Sequence, residues 1–390
     1  AFNSSPRLNR GVFLNAVIIG NQQEMTKNIY FFIGTTAELL KLFPVIRELE
    51  QRGVKFKIIT SGQTRVNFEE TSNWIRKTKA DIALPQKKNQ SSVIFFILWI
   101  IKTFLKAPFL LFEEFKNIDR PNSFFIIHGD TVSSLIGAII ARLYNLKIIH
   151  IESGLRSFNF WEPFPEEITR VMISKFTDVH FCPNKWSLDN LRQISGEKIN
   201  TFQNTFFESF LAASKKDTNF KIGKIVKGKY FVFVLHRQEH IIFKKTESLK
   251  MVKFVIDNVS PDINCVFIKH ATTSKFLKSF DQGFLKRNKE RLVFLQRLPY
   301  SFFVNLLQNA EFLVTDGGGN QEEAYYMGLP CLLLRNYTER MEGLSENIVL
   351  GKNNTKIVRA FLKNYGNFNR RAVSMKVRPS KIIVDYLLRS

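Results

Sequence analysis

The sequence predicts an α/β fold built from two doubly wound domains, each a parallel sheet covered by helices. Three observations carry this expectation. Short apolar runs repeatedly precede segments of helical periodicity. These units fall into two series, separated by a stretch around 199–229 without strong strand character. Polar residues collect where the apolar runs end, and open parallel sheets bind ligands beyond the carboxyl ends of their strands.

The first series opens with the run 28–33, which stops at Gly34-Thr35-Thr36. Leu39, Leu40, Phe43, Ile46 and Leu49 then share one helical face, which Gly53 closes. Strands are expected over 54–60, 123–127 and 147–151, with a helix over 131–144. The second series has strands over 230–235, 265–268, 311–315 and 331–334. A helix over 321–327, closed by Gly328 and Pro330, separates the last two, and 380–390 reads as a terminal helix. The expected organisation is an extension over 1–24, a first domain over 25–203, a second over 204–372, and a helical segment over 373–390 that returns to the first domain.

Segment 91–115 is very apolar, with Lys102 and Lys106 interrupting it and Pro108 expected to kink or end its helix. Two readings apply: a core-facing helix, or a greasy helix that docks peripherally on an anionic membrane face. The lysines and the proline argue against a span.

At 390 residues, 45% hydrophobic and 23% charged, the chain is globular rather than disordered. Lys and Arg number 57 against 34 Asp and Glu, a net charge of +23 that favours anionic partners. No DNA or RNA recognition module is visible, so nucleic acid is not expected. Cys182, Cys265 and Cys331 lack metal-ligand spacing and read as buried, reduced thiols of a cytoplasmic protein.

The chemistry is expected at the strand ends. Asp316-Gly317-Gly318-Gly319 between a strand and a helix suits a phosphate, because glycines let backbone amides approach it. It lacks the Lys-Ser/Thr pair of a Walker loop. The acids that follow, among them Glu323, suit ribose hydroxyls or the helix dipole. Asp130, Glu152 and Glu166 come from three strand-end loops and are expected on one cleft rim as proton-transfer groups, with Arg156 and Arg170 to balance them. His236-Arg237 offers an imidazole and a planar fork to phosphate oxygens. His128, His150, His180 and His270 are weaker candidates, each expected to hydrogen-bond within a strand-end loop.

Taken in order, these motifs resemble the UDP-N-acetylglucosamine 2-epimerase family. The resemblance rests on Gly34-Thr35 with Glu38 and Lys41, on His128-Gly129-Asp130-Thr131, and on His150 through Arg156. It continues in Pro165-Glu166-Glu167 with Arg170, His236-Arg237 with Glu239, Asp316 through Glu323, and Thr338-Glu339-Arg340. It implies two Rossmann-like domains facing a cleft, the glycosyltransferase B arrangement, with a UDP-N-acetylhexosamine between them. It implies Asp130, Glu152, Glu166 and His236 as catalytic residues. Lys41, Arg156, Arg170, Arg237, Phe303, Gly317, Gly318, Glu323 and Arg340 would bind substrate. The implied reaction inverts C2 through loss and return of UDP, or releases free N-acetylmannosamine, for surface polysaccharide. No metal or other cofactor is implied, and a homodimer is. Thr36 stands where the family has an arginine, and Gly317 where it has a serine. A UDP-sugar-dependent glycosyltransferase of the same fold is the alternative.

Overall fold

The computed structural model describes residues 27–86, 93–216, 223, 225–237, 240–241, 244–270 and 273–389. The expected extension over 1–24, residues 91–92 and Glu239 lie outside them.

Among the described residues thirteen strands form two sheets. The first contains β1 (Asn28–Ile33), β2 (Lys57–Thr60), β3 (Ile82–Ala83), β4 (Ser123–His128), β5 (Lys147–Ile151), β6 (Val179–Cys182) and β7 (Glu197–Asn200). Its order is β3-β2-β1-β4-β5-β6-β7, and every pairing is parallel. The second contains β8 (Tyr230–Val234), β9 (Asn264–Lys269), β10 (Leu292–Gln296), β11 (Leu313–Thr315), β12 (Cys331–Leu333) and β13 (Ile348–Leu350). Its order is β10-β9-β8-β11-β12-β13, again all parallel. Each chain path runs outward from a central strand and then reverses. The reversal leaves a crevice at β1/β4 in one sheet and β8/β11 in the other.

The buried strands read as continuous apolar runs because helices cover both faces. On one face of the first sheet, Leu39, Phe43 and Ile46 of helix Thr36–Gln51 pack with Ile383, Val384 and Leu387 of the C-terminal helix Pro379–Arg389. The Lys27 ammonium donates to the Leu387 carbonyl at 3.1 Å. Helix Thr205–Ser214 follows the first sheet and touches both domains. Its Phe206, Phe207 and Phe210 pack with Leu40 on one side and Tyr300, Val304 and Tyr326 on the other. Each buried phenylalanine contributes about 1.5–3 kcal/mol, so this plug couples the two domains through apolar area. All three cysteines are buried and free.

Strand 54–60 is shorter than expected, and helix 321–327 begins earlier, at Gly318. The proline in segment 91–115 does not end the helix: Val93–Phe115 is continuous through Pro108. Neither core nor surface describes this helix alone. Trp99, Ala107, Leu111 and Phe115 pack on the sheet, whereas Ile94, Leu98, Ile101, Leu105 and Phe109 face out.

Candidate functional site

The two crevices face each other, and the residues at their edges form the site. On the first domain, Thr131 rather than Asp130 caps helix Val132–Leu143, accepting from the Ser134 amide at 3.0 Å. Asp130 is therefore left half-buried in the loop, where its carboxylate accepts from Arg170 Nη2. Arg170 also reaches Glu167 Oε2 at 2.5 Å, and Arg156 Nε reaches Glu167 Oε1 at 2.5 Å. The guanidinium of Arg156 lies over the Phe158 ring, 4.9 Å from its centroid. In this arrangement Arg156 and Arg170 give donors to carboxylates of their own domain. Glu166 opens helix Glu166–Phe176, and the Thr169 hydroxyl meets the backbone carbonyls of both Asp130 and Glu166.

Glu152 follows β5 with φ of +67°, a left-handed conformation that costs a non-glycine residue energy. Its carboxylate is buried and collects donors from both domains. Lys41 Nζ lies 2.8 and 2.9 Å from its two oxygens, Arg340 Nη2 donates at 3.0 Å, and the Asn204 amide donates to Oε2. Burial opposes its charge, but Arg340 and Lys41 outweigh it and hold the carboxyl well below the usual range. Arg340 Nη1 lies 2.7 Å from Glu322 Oε2, and Asn204 donates to Glu322 Oε1 at 2.9 Å. Arginine and amide thus bridge the same two carboxylates. Burial pushes Glu322 up to about 7, so of this pair Glu152 carries the charge more firmly. His128 Nε2 lies 4.0 Å from Glu152, and burial pushes that imidazole down to about 3, so it is neutral.

On the second domain Asp316, at the end of β11, is fully buried. It accepts from the backbone amides of His236 and Arg237 at 3.0–3.2 Å, and its carboxylate lies 3.1 Å from His240 Nδ1. Burial opposes its charge, yet His236 and His240 keep it well below the usual range. Gly317 and Gly318 have steric reasons. A Cβ on Gly317 would come within 2.6 Å of Asn320 and His236, and one on Gly318 within 2.6 Å of Glu339. Gly317 caps helix Gly318–Met327 without a side-chain hydrogen bond to its first-turn amides, and Gly319 and Asn320 of that turn line the adjacent cavity. Arg237 sits 3.7 Å from Glu166 across the gap and 3.6 Å from Glu339. Glu339 is also 2.8 Å from the fully buried Arg335, which serves as a brace.

Beside these groups lies a cavity of about 280 Å³. Its walls include Lys41, His236, Arg297, Tyr300, Phe303 and Glu323. Burial pushes Glu323 up to about 8 while Asn320 donates to it at 2.7 Å. His270 faces His236, ring centroids 5.2 Å apart. His180 is satisfied in the core, Nδ1 on the Ser153 hydroxyl at 2.9 Å and Nε2 on the Ser195 carbonyl at 3.1 Å, whereas the buried His150 pairs only Nε2, with the Gly129 carbonyl at 2.7 Å. Sequence reasoning missed Asn204, His240, Arg297 and Tyr300, and it named Glu322 only among the acids after the glycine run. Among the described residues no cluster of three or more His, Cys, Asp or Glu could hold a metal ion.

The profile of UDP-N-acetylglucosamine 2-epimerase matches residues 47–379. The chain belongs to the UDP-N-acetylglucosamine 2-epimerase family. An enzyme of that name from Methanococcus maripaludis is 32% identical over 362 residues, covering 87% of this chain and 93% of its own. One from Campylobacter jejuni is 31% identical, covering 83% of this chain and 85% of its own. The Methanocaldococcus jannaschii UDP-GlcNAc 2-epimerase, solved in complex with UDP-GlcNAc and UDP, superposes with a TM-score of 0.80 at 25% identity. That match covers 93% of this chain and 100% of the other. The Neisseria meningitidis enzyme bound to UDP-GlcNAc gives 0.77 at 25% identity, with the same coverage. Against the family pattern, the Thr36 hydroxyl accepts from the Asn67 amide at 2.9 Å, and Arg297 is the guanidinium that lines the cavity.

Proposed function

We propose that this chain interconverts UDP-N-acetylglucosamine and UDP-N-acetylmannosamine by eliminating UDP and adding it back. The observation that carries the reading is the closed cleft itself: a strand-end carboxylate of one domain, Glu152, is ion-paired to Arg340 of the other at 3.0 Å. UDP sits on the second domain. Phe303 and Tyr300 offer apolar walls to the base, and Glu323 faces the ribose hydroxyls. The diphosphate meets Arg237, His236 and the first-turn amides of helix Gly318–Met327, where positive partial charge concentrates.

The sugar lies toward Asp130 and Glu166. One carboxylate takes the C2 proton, and the C–H pair becomes a C1=C2 double bond. The C1–O bond breaks and UDP leaves with its electrons. Cations and amides stabilise that developing charge. The other carboxylate protonates the opposite face of C2 as UDP returns. Thr169 fixes the two loops relative to one another, which positioned acid/base pairs require. Glu152, held ionised, positions Lys41 and Arg340.

Retention of UDP, rather than capture of the intermediate by water, is supported by the contacts that shut the cleft. Glu162 accepts from the Asn336 amide at 2.8 Å and its side chain at 3.0 Å. Asn184 donates to Glu342 at 2.8 Å, and the Tyr300 amide donates to Glu70 at 2.9 Å. Phosphorus NMR of the protein with UDP-N-acetylglucosamine tests this. The expected result is a second UDP-sugar signal at constant total UDP-sugar. Stoichiometric UDP with free N-acetylmannosamine would overturn it.

A further inference from the structure

Thr36 leaves the first domain without the arginine that the family pattern places there. Lys41 and Arg156 do not replace it. Lys41 donates to both oxygens of Glu152 at 2.8 and 2.9 Å, and Arg156 is held by Glu167 at 2.5 Å. Arg297 differs from both. It lines the cavity, it is exposed, and it makes no hydrogen bond or ion pair among the described residues. With Lys41 held by Glu152, Arg297 is the one Lys or Arg among the described residues of the cavity wall that is free to meet a ligand.

Strand register says which part of a nucleotide it meets. Thr315 of β11 pairs with Val234 of β8, Val234 with Ile268 of β9, and Gln296 of β10 with Lys269. Carried past the strand ends, the same register sets Gly317, His236, His270 and Arg297 in one row. The imidazoles of His236 and His270 keep to this row, with centroids 5.2 Å apart. Neighbouring strands lie about 4.8 Å apart, so Arg297 stands roughly 10 Å from His236 and roughly 14 Å from the glycine turn. A diphosphate on that turn therefore reaches Arg297 only through its nucleoside. The surroundings agree. Tyr300 and Phe303 are aromatic walls suited to a base. Glu70, which accepts from the Tyr300 amide at 2.9 Å, is a carboxylate that repels phosphate. Burial pushes His270 down to about 4, with His236 and Arg297 adding to it, so it brings no positive charge. A guanidinium only donates. Uracil carries a carbonyl oxygen at C4, where cytosine carries an amino group that only donates too.

We propose that Arg297 reads the base of the nucleotide: its guanidinium donates to the C4 carbonyl of uracil, so the cavity prefers a uridine to a cytidine diphosphate. The inference rests on the seat given to UDP under the proposed function and adds the residue that selects the base. The contact is the same before and after the C1–O bond breaks, so it acts on binding rather than on the chemical step.

Calorimetric titration of the full chain with UDP, CDP and uridine tests it. The wild type should bind UDP at least roughly tenfold more tightly than CDP. R297A should weaken UDP and uridine alike, by roughly tenfold, and bring UDP and CDP close together. Its KM for the UDP-sugar should rise by the same factor, with kcat within about twofold of the wild type. R297K, a point charge without the planar fork, should fall between. Because Arg297 is exposed and unpaired, both variants should keep the thermal midpoint of the nucleotide-free protein. Unaltered UDP affinity in R297A would overturn the proposal and leave the cleft reading standing. So would weaker UDP binding with uridine affinity and the UDP-to-CDP ratio unchanged, which marks a phosphate contact. A wild type that binds no UDP would overturn the cleft reading and this proposal together.

Discussion

Arg340 and Glu152 meet across the cleft at 3.0 Å, both nearly fully buried. Neither charge has water to fall back on, so each depends on the other and on the groups around them. Glu152→Gln removes the charge that holds Lys41 and Arg340 in place. Turnover is expected to fall by about 10²-fold through misplacement of these cations, with UDP still bound. Steady-state rates alongside calorimetric UDP titration check this; near-native turnover would remove Glu152 from the mechanism.

Asn204 is the neutral half of the bridge between Glu152 and Glu322. Asn204→Ala loses two bonds to acidic side chains, each about 1.5–3 kcal/mol. Asn204→Asp is expected to be worse than alanine, since a third carboxylate would face the other two. The comparison of kcat and KM across both variants decides it. An aspartate variant as active as the alanine variant would show that the amide does not position these groups.

The Arg170 guanidinium holds Asp130 and Glu167 in a site where it is only 3% exposed. Removing one partner of a buried pair costs about 3–5 kcal/mol. Arg170→Ala should therefore lower the urea midpoint markedly as well as reduce activity. An unchanged midpoint would mean the cluster contributes no net stability.

Buried carboxyls here shift in opposite directions, and the signs predict a two-sided pH profile. Burial raises Glu323 to about 8 and Glu322 and Glu38 to about 7. The folded protein then holds protons that the unfolded chain has lost. That contribution is full below the ordinary carboxylate range and disappears as pH rises through 7 and 8. Glu152, Asp316 and Glu339 are depressed, burial being outweighed by cationic partners. Their contribution is present above the ordinary range and is lost on acidification. Glu323→Gln should flatten the alkaline fall in thermal midpoint of the nucleotide-free protein; an unaltered slope would contradict the assignment.

Gly318 and Gly319 differ in what a methyl group would meet. On Gly318 it would stand 2.6 Å from Glu339 and 2.9 Å from Arg340, whereas on Gly319 the nearest atom, in Phe206, is 3.8 Å away. Gly318→Ala is expected to weaken UDP binding roughly tenfold, about 1.4 kcal/mol, and Gly319→Ala to leave it nearly intact. Calorimetry separates the two.

The central strands were legible because they are apolar throughout: β1 and β5 have the predicted limits. Edge strands were not. β3 has two residues, β7 reads Glu-Lys-Ile-Asn, and β10 is mostly half-buried, so none carries the continuous apolar run of a central strand. Missing β10 hid Arg297 and Tyr300, which follow it. In the site, residues at the ends of recognised strands could be found. Asn204 could not, because it caps a helix, and the partner of Glu322 could not, because that acid sits in a helical turn like any solvated one. Only the approach of the two domains makes them neighbours of Glu152. Thr131 takes the capping place and leaves Asp130 to the cleft.

The most direct test of the account is hydrogen exchange at one carbon. The protein is incubated with UDP-N-acetylglucosamine in deuterated water, and the recovered UDP-sugars are read by proton NMR and mass spectrometry. The account predicts one deuterium, at C2, in the epimerised product. Epimer formed with the original C2 hydrogen retained would contradict it.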